Sequence, residues 1–234
     1  MMATLDIADS GGDALDMLAK SCLLSLLLSV GVTDALAAEA CFVPLFNGRD
    51  LSGWEGVTAP ASASWKVENG MIVCTGQEGT WLRSKKQYGD FNLRFQYKLK
   101  SGGNSGIYLR VSLDGAHREG GGAEVQILDD TAAEYRKLEP AQYCGSIYKV
   151  APARSHVSKP AGGWNTMEIN CLGTSYRVKH NGVVVVDATA AEFPELAHRF
   201  QKGYLGLQNH REEVWFKNLR IGPPVEIYRA ARRR

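Results

Sequence analysis

Phe91-Asn-Leu-Arg-Phe-Gln-Tyr-Lys-Leu99 alternates without a break: Phe91, Leu93, Phe95, Tyr97 and Leu99 are apolar or aromatic, with Asn92, Arg94, Gln96 and Lys98 between them. Side chains along a strand point to opposite faces in turn, so this segment reads as a strand with one buried and one wetted face. Outward from it, Trp65-Lys-Val-Glu68 and Met71-Ile-Val-Cys74 flank Asn69-Gly70, and residues 175–180 and 183–187 flank Asn181-Gly182. Asn-Gly suits the two left-handed positions of a type I′ turn, which predicts two hairpins. Strand-like runs at 105–111, 123–128, 144–150, 164–171, 203–209 and 213–221 follow, divided by turn residues. Only 130–142 and 188–201 leave room for a short helix each. No boundary, repeat or low-complexity linker interrupts Phe42 to Pro224. The expectation is an all-β, single-domain jelly-roll β-sandwich over 39–224.

With 44% hydrophobic and 22% charged residues in 234, the chain has the composition of a globular protein with its own core. The first residues are of another kind. Leu23 to Val32 is apolar, follows Lys20 and precedes Ala35-Leu36-Ala37-Ala38, a small-residue cleavage pattern. It falls short of the roughly 20 apolar residues of a membrane span, so 1–38 reads as a signal peptide and the mature protein as secreted or periplasmic. Asp6, Asp9 and Asp13 precede any basic residue, whereas a start at Met17 gives Met-Leu-Ala-Lys, a normal leader opening.

The whole chain carries 27 Lys and Arg against 25 Asp and Glu. Residues 1–38 hold one basic and five acidic residues, so the processed chain has 27 − 1 = 26 against 25 − 5 = 20, a net +6. Arg229, Arg232, Arg233 and Arg234 supply four of those charges from the 225–234 tail, leaving a nearly neutral body. Nucleic acid is therefore not an expected partner, since a phosphate-binding face needs basic residues clustered on the fold. Cys22 leaves with the signal. Cys41, Cys74, Cys144 and Cys171 remain, without metal-ligand spacing, as a disulfide or as buried thiols.

Three strands combine apolar positions with a polar set at period two. Ile107, Leu109 and Val111 are predicted inward, with Tyr108 and Arg110 outward; Val125 and Ile127 inward, with Glu124 and Gln126 outward; Leu205 and Leu207 inward, with Tyr204, Gln208 and His210 outward. Tyr, Arg, Glu, Gln and His on a concave sheet suit a sugar, with rings against C–H faces and planar polar groups against hydroxyls. Asn104 stands at the rim, where it either starts the strand or reaches the ligand, and Tyr148 joins the candidate substrate contacts.

Collectively, LFNGRDLSGW at 45–54, WKVENG at 65–70, YGDFNLRFQYKL at 88–99, GGNSGIYLR at 102–110, EVQILD at 124–129, GSIY at 145–148, WNTMEI at 164–169, GYLGLQNH at 203–210 and VWFKNLRI at 214–221 are specific. Over nearly all of 42–222 the chain resembles the 3-keto-disaccharide hydrolase family. The resemblance implies a concanavalin A-like sandwich, export, and cleavage of glycosides whose C3 hydroxyl has become a ketone. Such a ketone acidifies the C2 proton, so a base, an enolate stabiliser and an acid for the leaving oxygen are needed. On that logic Glu124 or His210 is the base, and Arg110 with Gln126, or a bound divalent cation, stabilises the enolate.

Two rival classes have sequence tests. Retaining β-glucanases of this fold carry E-x-D-x-x-E with carboxylates about 5–5.5 Å apart, whereas Glu124-Val-Gln-Ile-Leu-Asp129 has Gln126 in the middle and a shorter acid at the end. A non-catalytic lectin-like module would use the same face without turnover. No Gly-x-Ser-x-Gly elbow and no Gly-rich phosphate loop opening a helix is present, which removes serine-hydrolase and nucleotide readings.

Overall fold

A computed structural model describes residues 41–113 and 121–225. The predicted leader, its cleavage point, the Met17 start and most of the basic tail lie outside the described residues.

Among these residues the chain forms thirteen strands: β1 (Val43–Pro44), β2 (Trp54–Gly56), β3 (Trp65–Glu68), β4 (Met71–Thr75), β5 (Leu82–Tyr88), β6 (Phe91–Leu99), β7 (Asn104–Val111), β8 (Ala123–Leu128), β9 (Asn165–Leu172), β10 (Ser175–His180), β11 (Val183–Ala188), β12 (Gly203–Leu207) and β13 (Glu213–Gly222). Helix is limited to single 3-10 turns at Ala133–Tyr135 and Pro140–Gln142, a longer one at Pro194–His198, and one before β3. None is long and apolar enough to cross a membrane. The large sheet runs β11-β10-β9-β6-β13-β4-β3, with β1 added to β13; the small one runs β2-β5-β12-β7-β8.

Both hairpins form for the reason given. Asn69 and Gly70 have φ of 50° and 72°, and Asn181 and Gly182 have 46° and 85°, so both central residues of each turn are left-handed. The strand at 91–99 turns Phe91, Leu93, Phe95, Tyr97 and Leu99 into the core, against Ile107, Leu109, Val125 and Ile127 of the facing sheet. Burial of these side chains, each contributing about 1.5–3 kcal/mol, holds the sheets together.

Two local expectations change. Leu82–Tyr88 is a seven-residue strand that its Arg-Ser-Lys-Lys-Gln centre hides from a hydropathy reading. Residues 144–150 form no strand of their own but run along β8: Gly145 donates to the Gln126 carbonyl, Gln126 to Ser146 and Tyr148 to Glu124, around an isolated bridge between Val125 and Ile147. Just past this segment Arg154 donates its backbone N–H to the Val185 carbonyl of β11 (2.8 Å), so the strap and the residues that continue it meet the outer edges of both sheets.

None of Cys41, Cys74, Cys144 and Cys171 is in a disulfide; Cys41 is exposed and the other three are buried thiols. Burial pushes the Cys171 thiol up to about 12, so it is a packing group rather than a nucleophile.

Candidate functional site

The small sheet builds the site by register. Opposed residues of antiparallel strands share a face, and Glu124 on β8 opposes Tyr108 on β7, Tyr108 opposes Gly206 on β12, Gly206 opposes Arg83 on β5 and Arg83 opposes Glu55 on β2. The strap adds Tyr148 beyond Glu124. A second row sets Gln126 against Gly106, whose carbonyl accepts from the N–H of Gln208. Glu124, Gln126 and Tyr108 are therefore brought together, with Gln208 two strands from Gln126 and Asn104 at the rim, where its Oδ1 accepts from Gln126 Nε2 at 3.4 Å.

Glycine makes room for the carboxylate. A Cβ on Gly106 would stand 3.0 Å from Glu124 Cδ and nearer still to Oε1, so the Glu124 side chain lies on bare backbone of the next strand. Glu124 and Gln126 are each 4% exposed and Gln208 7%, and the side-chain oxygens Oε1 of Gln126 and Gln208 find no hydrogen-bond partner among the described residues. Buried amide oxygens ordinarily have partners, so these two are acceptors that a ligand's hydroxyl or N–H would satisfy.

Glu124 also forms a wall of a cleft of about 210 Å³ with Gly122, Tyr148, Lys149, Glu195 and Arg199. Lys149 stands at φ 58° beside Tyr148, its Nζ 5.6 Å from that ring. Arg199 is anchored by a hydrogen bond from Nη1 to the Gly122 carbonyl at 2.6 Å. The cleft thus holds two carboxylates, a phenol and two cations. Lys149, Glu195 and Arg199 went unnoticed in the sequence because they sit in turns without periodicity.

Arg110 is a correction. It does not share the face of Tyr108: it is 0% exposed and points into the sandwich, where Nε and Nη1 donate to the carbonyls of Gly89 (2.8 Å) and Gly173 (2.7 Å) and Nη2 to Asp90 Oδ1 (2.7 Å). The cause is a bulge. Tyr108 pairs with Gly206 but Val111 with Tyr204, leaving one extra residue on β7, and Arg110 takes φ 53°. Beyond it the alternation inverts, so Val111, expected in the core, falls on the face of Tyr204. The cation on that face is Arg83, over the Tyr204 ring at 4.2 Å and ion-paired with Glu55.

His210 is the second correction. It lies beyond the end of β12, with its side chain 52% exposed and Nδ1 against Glu212 Oε2 at 3.2 Å, and it lines no part of the cleft around Glu124. The strand stops at Leu207, so the period-two extrapolation to residue 210 fails. For the divalent cation, no three His, Cys, Asp or Glu side chains converge among the described residues, so these residues offer no cluster to hold one.

A curated protein of Bacteroides thetaiotaomicron named 3-keto-disaccharide hydrolase is 25% identical over 77% of this chain and 77% of its own. Among solved structures, one from Parabacteroides distasonis, described provisionally as a glycosyl hydrolase, aligns with a TM-score of 0.68 at 24% identity, over 80% of this chain and 95% of that one. The carbohydrate-binding module CBM66 of Bacillus subtilis aligns at 0.52 and 13%, over 76% and 99%, a likeness of fold alone. The all-β jelly-roll expectation is borne out, and the named relative agrees with that of a glycoside-cleaving enzyme. The family model for the 3-keto-alpha-glucoside-1,2-lyase-like domain matches residues 41–222, and with this sandwich beneath the match, the chain belongs to that family.

Proposed function

We propose that the protein cleaves 3-keto-glycosides or 3-keto-disaccharides by elimination across C1 and C2 followed by hydration. The observation that carries this is the Glu124 carboxylate, laid over Gly106 and walling a cleft shared with Tyr148, Lys149 and Arg199. Glu124 removes the C2 proton, and the C–H electron pair moves to the C3 oxygen, where Lys149 and Arg199 offset the enolate charge. Return of that pair re-forms the ketone and expels the C1 oxygen, which takes a proton from Tyr148. Water then adds its hydroxyl to C1 and gives its proton back to Tyr148 while Glu124 returns a proton to C2, so both groups are restored and the net reaction is hydrolysis.

Glu124→Gln keeps shape and removes the proton acceptor, so turnover of a 3-keto-disaccharide is expected to fall by roughly 10²–10⁴-fold with thermal stability nearly unchanged. Full turnover by this variant would sink the assignment. A second reading rests on Glu195, a second carboxylate in the same cleft, which would suit an ordinary two-carboxylate glycosidase. The unoxidised parent disaccharide separates the two: the elimination enzyme leaves it intact, whereas the glycosidase cleaves it. Binding of both without cleavage of either would instead mark a lectin-like module.

The reading includes export. Secreted material is expected to begin near Glu39, and N-terminal sequencing that found Met1 or Met17 on an intracellular protein would refute it.

A further inference from the structure

Trp81 belongs to none of the roles assigned above. It precedes β5 and lies across the small sheet, where a Cβ on Gly206 would run into its six-membered ring and stand 2.9 Å from Tyr108 Cδ2. Only a glycine at 206 lets the indole settle there, edge-on to the Tyr108 ring at 5.2 Å between centroids. By register Trp81 precedes Leu82, which opposes Leu207, so on the antiparallel strand Trp81 stands opposite Gln208, whose buried Oε1 has no partner among the described residues. Gly106, under the Glu124 carboxylate, and Gly206, under Trp81, are diagonal neighbours on β7 and β12, about 7–8 Å apart.

We infer that Trp81 and Gln208 form the subsite for the leaving sugar, the indole taking the C–H face of that ring and the Gln208 side-chain oxygen accepting from one of its hydroxyls. This rests on the proposed reaction at Glu124. The two glycines give the sheet two bare patches offset by a step suited to two linked rings, one beneath the base and the other beneath an aromatic platform. A flat ring and a planar amide are what a neutral sugar uses, and the nearby Arg83 is already ion-paired with Glu55, so the class is a neutral hexose rather than a uronic acid.

The test compares two substrates, a 3-keto-disaccharide and methyl 3-keto-glucoside, which has no second ring. Trp81→Ala and Gln208→Leu are expected to lower kcat/KM for the disaccharide relative to the methyl glycoside by on the order of tenfold, mainly through KM. An equal loss on both substrates, or no loss, overturns the subsite. If the wild-type protein cleaves neither compound, the reaction fails separately, and calorimetric titration with the unoxidised disaccharide decides the subsite: binding weakened by both substitutions supports it, and binding equal in all three proteins, or absent from the wild type, overturns it. Trp81→Phe, which keeps a ring on Gly206, should recover part of the loss and guards against a folding defect in Trp81→Ala.

Discussion

Arg110 and Glu124 are both ionisable residues on strands of one sheet, and their backbones alone send them to opposite fates. Arg110 ends in a cage of two glycine carbonyls and Asp90, its guanidinium 5.9 Å from the rings of Phe91 and Tyr176. Replacing it removes the donor of those part-buried carbonyls and the cation paired with Asp90, and empties the enclosed space the Arg110 side chain fills. Arg110→Met is expected to destabilise the fold by about 3 kcal/mol or more, lowering the urea midpoint, with KM for a 3-keto substrate unchanged at temperatures where the protein is folded. A raised KM at unchanged stability would return Arg110 to the site. Sequence offered no sign of this, because GIYLRV alternates smoothly and a bulge at a non-glycine residue leaves no compositional trace. Glu124 and Gln126 were legible because β8 keeps its period throughout, with Val125 and Ile127 fully buried. Trp81 and Arg83 were not, since they flank the single apolar residue Leu82 at the start of a strand otherwise rich in Lys, Ser and Gln.

At the scale of elements, the legible parts are those whose geometry is set locally. Both Asn-Gly turns and the strand at 91–99 follow from neighbours in sequence, whereas the strap at 144–150 takes its shape from β8, an interaction that no local pattern encodes. Its pivot is Gly145 at φ 84°, where a Cβ would come 3.1 Å from Val185 Cγ2. Gly145→Ala forces a left-handed alanine costing about 1–2 kcal/mol and crowds β11. Faster hydrogen exchange at the Gln126 and Tyr148 amides is expected, together with lower turnover, since Tyr148 and Lys149 ride on the same segment. Unchanged protection at those two amides would show that the strap is held by something else.

Across the whole molecule, the polar contacts inside the sandwich tie its stability to pH. His180 on β10 is buried, with Nε2 2.9 Å from the Tyr97 hydroxyl, which also lies 3.2 Å from Cys144 Sγ. Burial disfavours the imidazolium and lowers its pKa from 6.5 to about 4. The unfolded chain therefore takes up this proton first: the stability contributed by neutral His180 is complete above the unfolded value of 6.5 and is lost as pH falls towards 4. The loss is on the order of 3 kcal/mol, measurable as a falling urea midpoint between those pH values. An NMR titration of His180 centred near the unfolded value would contradict it.

The strap that touches both sheets has a meaning for how molecules of this protein meet one another. A sheet edge offers a row of unused N–H and C=O groups to any passing chain, and here the β8 edge is occupied by residues 145–148 and the Val185 carbonyl of β11 by Arg154. Tyr148 and Lys149 of the cleft wall are thus carried by the same segment that shields those edges from strand addition by a second molecule. Changes that loosen this segment to admit a bulkier substrate would expose the edges as well, so variants selected for broader substrate range would tend to aggregate.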